Sequence, residues 1–221
     1  MAKNNYQTYT EETPIHFYRA DFVHRGALCN ALSRRYPDLA EVATAANAIV
    51  VQIDARLADL RHAEDDQIRA RALENAEKID AVDVYTEMRR TMFAQNYDVM
   101  TILPDPPSDL RRLSAERFAD RAAAAITNMK ALPEDDPIRV AFLPRLEREL
   151  AEFDSADRTE DAKRAGIQSL ELALTLYKSE LAQAREVQLG TTLVVLKERE
   201  KVAMCTLPWR KTSRSSQNDE G

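Results

Sequence analysis

The stretch PDLAEVATAANAIVVQIDARLADL, residues 37–60, decides the fold class. Pro37 ends whatever precedes it, and Asp38 with Glu41 has the spacing of a capping box, so a helix starts here. Leu39, Val42, Ala46, Ile49, Ile53 and Leu60 then recur at alternating threes and fours, with Arg56 interrupting the series. That is the period of a helix burying one side, and Val50 and Leu57 widen the stripe to the breadth of a packed helix. The spacing predicts a first helix over 38–62.

The same period continues outward. After the acidic patch HAEDD (62–66), read as a break, Ile68, Ala72, Ala76, Ile79, Val82, Tyr85, Met88 and Met92 are assigned to one face of a second helix ending near Gln95. Pro104, Pro106 and Pro107 break the chain, because each removes an amide and constrains the residue before it. Ser108 is read as the cap of a third helix with a stripe of Phe118, Ala122, Ala125, Ile126, Met129 and Leu132. Asp136 and Pro137 open a fourth, which Pro144 kinks or splits. Asp157 and Glu160 open a fifth, which contains SLELALTLYKSEL (169–181). There Leu170, Ala173, Tyr177 and Leu181 form one seam, while Leu172, Leu174 and Leu176 spread apolar surface around the circumference. A helix apolar nearly all round is central or shared with a second body. The run TTLVVL (191–196) is β-branched, but with no partner run elsewhere it is read as helical or irregular.

The expected architecture is all-α: an antiparallel bundle of four to five long helices over 26–207. An extended aromatic N-terminal arm precedes it (1–25) and a disordered tail follows (208–221). IDARLADL (53–60) echoes LERELAEF (146–153), which raises a duplicated hairpin, 38–97 and 136–189, as the bundle's origin.

Composition excludes several functions. Only Gly26, Gly166, Gly190 and Gly221 are glycine, so no phosphate cradle or nucleophile elbow can be built. Net charge is −6, which disfavours nucleic acid as a partner. No run approaches the roughly 18 apolar residues of a membrane span, and the polar start gives no secretory signal. Cys29 and Cys205 match no metal spacing, so a cytoplasmic, free-thiol chain is expected.

HFYRADFVH (16–24) is the candidate site. Asp21 and His24 have a carboxylate–x–x–His spacing, and with His62 they are the weak candidates for a metal. A helical di-metal centre needs a second such pair and inward glutamates, which the chain does not supply. No catalytic residue, cofactor or small-molecule substrate is therefore assigned. The aromatics Tyr6, Tyr9, Phe17, Tyr18 and Phe22 suit an arm packing into a groove of this chain or a neighbour. Together with Leu172, Leu174, Leu176 and Trp209 they form the expected interface of a non-enzymatic structural or scaffolding protein that forms a homo-oligomer or binds another protein. The alternatives are a metal or small-ligand enzyme, and an adaptor using the basic segment Lys197–Arg214.

Overall fold

The computed structural model describes residues 9–207, and every regular element among them is helical. In order these are α1 (Ile15–Leu32), α2 (Leu39–Ala94), α3 (Val99–Ile102), α4 (Pro107–Leu110), α5 (Ala115–Lys130), α6 (Pro137–Leu196) and α7 (Arg199–Ala203). No helix of the described residues is long and apolar enough to cross a membrane.

Several expected breaks are absent. HAEDD lies inside α2, which runs unbroken for 56 residues. Nothing in that patch removes an amide, and Asp66 is neutralised by Arg69 at 3.0 Å and Lys163 at 3.1 Å. The fourth and fifth expected helices are likewise one, the 60-residue α6. Pro144 lies within it, where the carbonyl it leaves without a donor belongs to Val140, an exposed residue. TTLVVL is helical. Ser108 caps nothing long: α4 is a single turn, and α5 starts after Ser114. The extended arm is corrected too. Helix α1 begins directly after Pro14, so within 1–25 only residues 9–14 lie outside a helix among those described.

The ends that do exist have local causes. Asn96 adopts φ 59° and lets the Tyr97 amide reach back to the Met92 carbonyl at 3.0 Å, a left-handed helix stop. Lys197, at φ 57°, ends α6 in the same conformation. At the start of α6, the Asp136 carboxylate accepts from the amides of Ile138 (2.9 Å) and Arg139 (3.1 Å), with Pro137 as the first helical residue.

The chain divides into two compact units, each drawing on both long helices. Neither coincides with the hairpins 38–97 and 136–189. Unit 1 contains residues 9–61 and 169–207. In it Leu39 and Val42 share a cluster with Leu189 and Leu196, while Ala46 and Ile53 pack with Tyr177 and Leu181. Partners recede along α6 as α2 advances, so the two segments are antiparallel. Helix α1 lies on α2 at Gly26, where a Cβ would meet the Asn47 side chain at 2.5 Å.

Unit 2 is residues 62–168. Its core joins Val82, Tyr85, Met88 and Met92 of α2 to Phe118, Ala122, Ala125 and Met129 of α5 and Leu146 and Phe153 of α6. Phe118 and Phe153 meet edge to face at 4.9 Å. The proline-rich connection is tied down by Tyr85, whose hydroxyl donates to the Asp105 carbonyl at 3.0 Å, and by Arg89, which donates to the same oxygen at 3.0 Å.

Candidate functional site

On α1, residues four apart share a face, so Tyr18, Phe22, Arg25 and Cys29 all turn inward beside Asp21, and all five are buried. Asp21 and Arg25 are fully buried and paired at 2.6 Å. The same Asp21 oxygen accepts from Arg185 Nε at 3.1 Å, and the other accepts from the Leu207 amide at 2.8 Å. Arg25 also donates to the Arg185 carbonyl and the Gln188 amide oxygen, both at 3.2 Å. Tyr9 lies under the Arg185 guanidinium at 4.3 Å, packs edge to face on Tyr18 at 4.9 Å, and donates its hydroxyl to the Leu207 carbonyl at 3.0 Å. Among the described residues no buried side-chain nitrogen or oxygen lacks a partner. Burying such charges is costly unless geometry is satisfied throughout, which it is here.

The arrangement is a clamp. It joins the segment before α1, α1 itself, the end of α6 and residues 205–207, all within unit 1. Burial pushes Arg25 below its ordinary pKa against the pull of Asp21, and burial raises Tyr9 and Tyr18 to about 12. Beside the clamp lies a thiol pair, Cys29 and Cys205, both free and fully buried. A hydrogen bond from one to the other brings Cys29 down to about 7, helped by Arg25, and pushes Cys205 up.

This geometry replaces the metal reading of the same stretch. Guanidinium groups and a backbone amide occupy the Asp21 carboxylate, and His24 Nε2 is spent on the Met204 carbonyl at 2.8 Å. His62 is exposed and belongs to unit 2. The aromatics are also placed within their own chain: Tyr9, Tyr18 and Phe22 are core residues of unit 1, and Phe17 packs partly buried against them. Tyr6 and Trp209 lie outside the described residues.

Unit 2 carries a polar cleft of about 550 Å³, lined by Arg71, Glu74, Lys78, Ser114, Asp157 and Arg164 among others. Burial raises the Glu74 and Asp157 carboxyls, with neighbouring carboxylates adding to the effect, and burial lowers Lys78. Beneath it Glu160, 1% exposed, accepts from Gln67 and Arg164, each at 2.5 Å. The cleft is lined by groups of both charges, with the Ser114 hydroxyl beside them. Periodicity alone places Glu74 off the apolar seam. The signal that finds the cleft is the i,i+4 pair Glu74 and Lys78 on the side of α2 that carries Ala70 and Ala81.

The remaining feature is apolar and uncovered. Leu172 is 61% and Leu176 62% exposed on α6, whereas Leu174 is half-buried against the Tyr177–Leu181 cluster. On α2, Ile68, Ala72, Ala76 and Ile79 face solvent, and only Val82, Tyr85, Met88 and Met92 of the expected stripe are buried. Each helical residue advances about 100°, so each step of three falls about 60° short of a turn. The steps Ile79 to Val82 to Tyr85 to Met88 therefore carry the stripe half-way round the helix. The sequence matches no protein-family model, no curated protein and no solved structure.

Proposed function

We propose that this chain is a non-enzymatic, cytoplasmic scaffold, an antiparallel helical bundle that associates with further copies of itself through exposed helix faces. The observation that carries the reading is the pair Leu172 and Leu176, one turn apart on α6 and both more than half exposed. Burying a leucine side chain contributes roughly 1.5–3 kcal/mol, so two adjacent ones left in water form an adhesive patch. Tyr9, Tyr18 and Phe22 are spent inside unit 1, whereas the α6 leucines and the outer face of α2 are exposed. Replacing both leucines by glutamate tests the reading. Sedimentation should report a lower mass for the variant than for the parent, with unchanged helicity by circular dichroism. An unchanged mass removes the α6 patch from the account.

The polar cleft supports a second reading, a binding site for a small ligand carrying both charges. Calorimetric titration with zwitterionic metabolites, compared between the parent and Lys78→Met, tests it.

A further inference from the structure

The outer face of α2 deepens the self-association reading and rests on it. Ile68, Ala72, Ala76 and Ile79 line one side of the helix, opposite the side carrying the buried Ala70 and Ala81. Ile68 is 63% and Ile79 54% exposed, and both alanines are exposed. Two alanines one turn apart, with an isoleucine beyond each, let a second helix approach to the near end of the 8–10 Å range of about one helix diameter. The isoleucines then close the ends of the contact.

Charge decides what fits there. Arg69 and Asp80 lie on the same flank of this face, eleven residues apart. In an antiparallel pair of helices, residues on the same flank meet each other. Place two copies about a two-fold axis midway between Ala72 and Ala76. Ile68 then meets Ile79, Ala72 meets Ala76, and Arg69 of each copy meets Asp80 of the other. A parallel pairing would instead set Arg69 against the opposite flank of the other helix, away from Asp80. Asp80 has reason to accept a cation, because its carboxylate lies within 4.8 Å of those of Glu77 and Glu149, and Arg148 neutralises only the last of these at 2.5 Å. Arg69 is free to leave its present contact. Its side chain is 74% exposed, and Asp66 keeps Lys163 at 3.1 Å when Arg69 swings away. Asp65 and Asp83 lie at the two ends of the face and meet as like-charge pairs, which oppose the contact and are offset by Arg111 on Asp83 at 3.1 Å.

We infer that the Ile68–Ile79 face of α2 docks antiparallel on the same face of a second copy, with Arg69 and Asp80 pairing twice across the two-fold axis. The contact is isologous: one patch serves both partners.

A charge swap on the full chain tests this by sedimentation equilibrium. Ala76→Glu places a charge on the axis and should weaken association at least about tenfold. Arg69→Asp and Asp80→Arg should each weaken it about three- to tenfold, since each creates two like-charge contacts. The combined variant R69D/D80R reverses both pairs and should return within about twofold of the parent. All three positions are exposed, so circular dichroism should not change. A combined variant weaker than either single change, or an Ala76→Glu variant with unaltered association, overturns this face. If the parent associates and only the Leu172 and Leu176 replacements break it, the scaffold reading survives and this inference fails. A face that serves a different protein leaves the purified parent monomeric to about 100 µM, well above the micromolar range of specific contacts, and then both readings fall.

Discussion

In unit 1 the largest fully buried side chains include Arg25 and Arg185, gathered on Asp21. In unit 2 the corresponding positions hold Met88, Met92, Phe118, Phe153 and Leu110. Both interiors are helical and closed, but they are held by different physics. Unit 2 gains from apolar area, which tolerates substitution that keeps volume. Unit 1 buries charges whose partners come from four chain segments, so that removing one partner strands another charge. The two units hold their helices in place by separate routes.

The sharpest way to break the comparison is to remove the anion. Asp21→Ala leaves two buried guanidinium groups uncompensated and should cost about 3–5 kcal/mol, read as lost hydrogen-exchange protection in α1 and in residues 199–207. Replacing the whole group, Asp21→Leu with Arg25→Met and Arg185→Met, should cost far less than the single change, because no charge is then stranded. In unit 2 the matching experiment is Met88→Ala, with an expected loss of about 2–5 kcal/mol, against Met88→Leu, which should lose less than about 1.5 kcal/mol. Chemical denaturation followed by exchange in each unit separates the outcomes.

Unit 2 was the more legible of the two. Val82, Tyr85, Met88 and Met92, and Phe118, Ala122, Ala125 and Met129, follow from helical period, and all are buried. The clamp was hidden by the rule that charges sit outside. Its trace is a charged residue where a seam demands an apolar one: Arg25 between Phe22 and Cys29, and Arg185 between Leu181 and Leu189. Two such misfits with Asp21 beside them are a buried pair written in sequence. The breaks expected at HAEDD and before Asp157 are absent, because acidic residues, whether read as a stop or as a cap, remove no amide. Without proline or a left-handed residue, charge alone does not end a helix. The outward turn of the α2 stripe was also present, in the three successive steps of three after Ile79.

Alkaline pH sharpens the contrast further. Tyr9 and Tyr18 in unit 1 and Tyr85 in unit 2 are raised to about 12 by burial. A phenol ionises near 10 in the unfolded chain and stays protonated in the folded one, so the unfolded state gains on the native as pH rises from 10 to 12. Stability is full below pH 10 and should fall by up to about 2–3 kcal/mol per tyrosine across that window. Unit 1 carries two of the three and should open first. Tyr18→Phe should flatten the fall seen in thermal melts between pH 9 and pH 12, at roughly one tyrosine's share.

The smallest effect is a matched pair. Gly166 lies in unit 2 and Gly190 in unit 1, both within α6, and a Cβ at either meets nothing within 4 Å. Each Gly→Ala change should stabilise its own unit by roughly 0.5–1 kcal/mol through helix propensity. Equal gains by exchange would show that the difference between the units lies in their interiors and not in the helices that build them.

On the proposed reading, the uncovered faces of α2 and α6 are occupied by another copy of the chain. Sedimentation equilibrium of the purified full-length protein, from about 1 to 100 µM, spanning the range of specific contacts, tests it directly. The expected result is a mass that rises with concentration from the 25.1 kDa of one chain to at least twice that value. A mass that stays at 25.1 kDa across the whole range would contradict it.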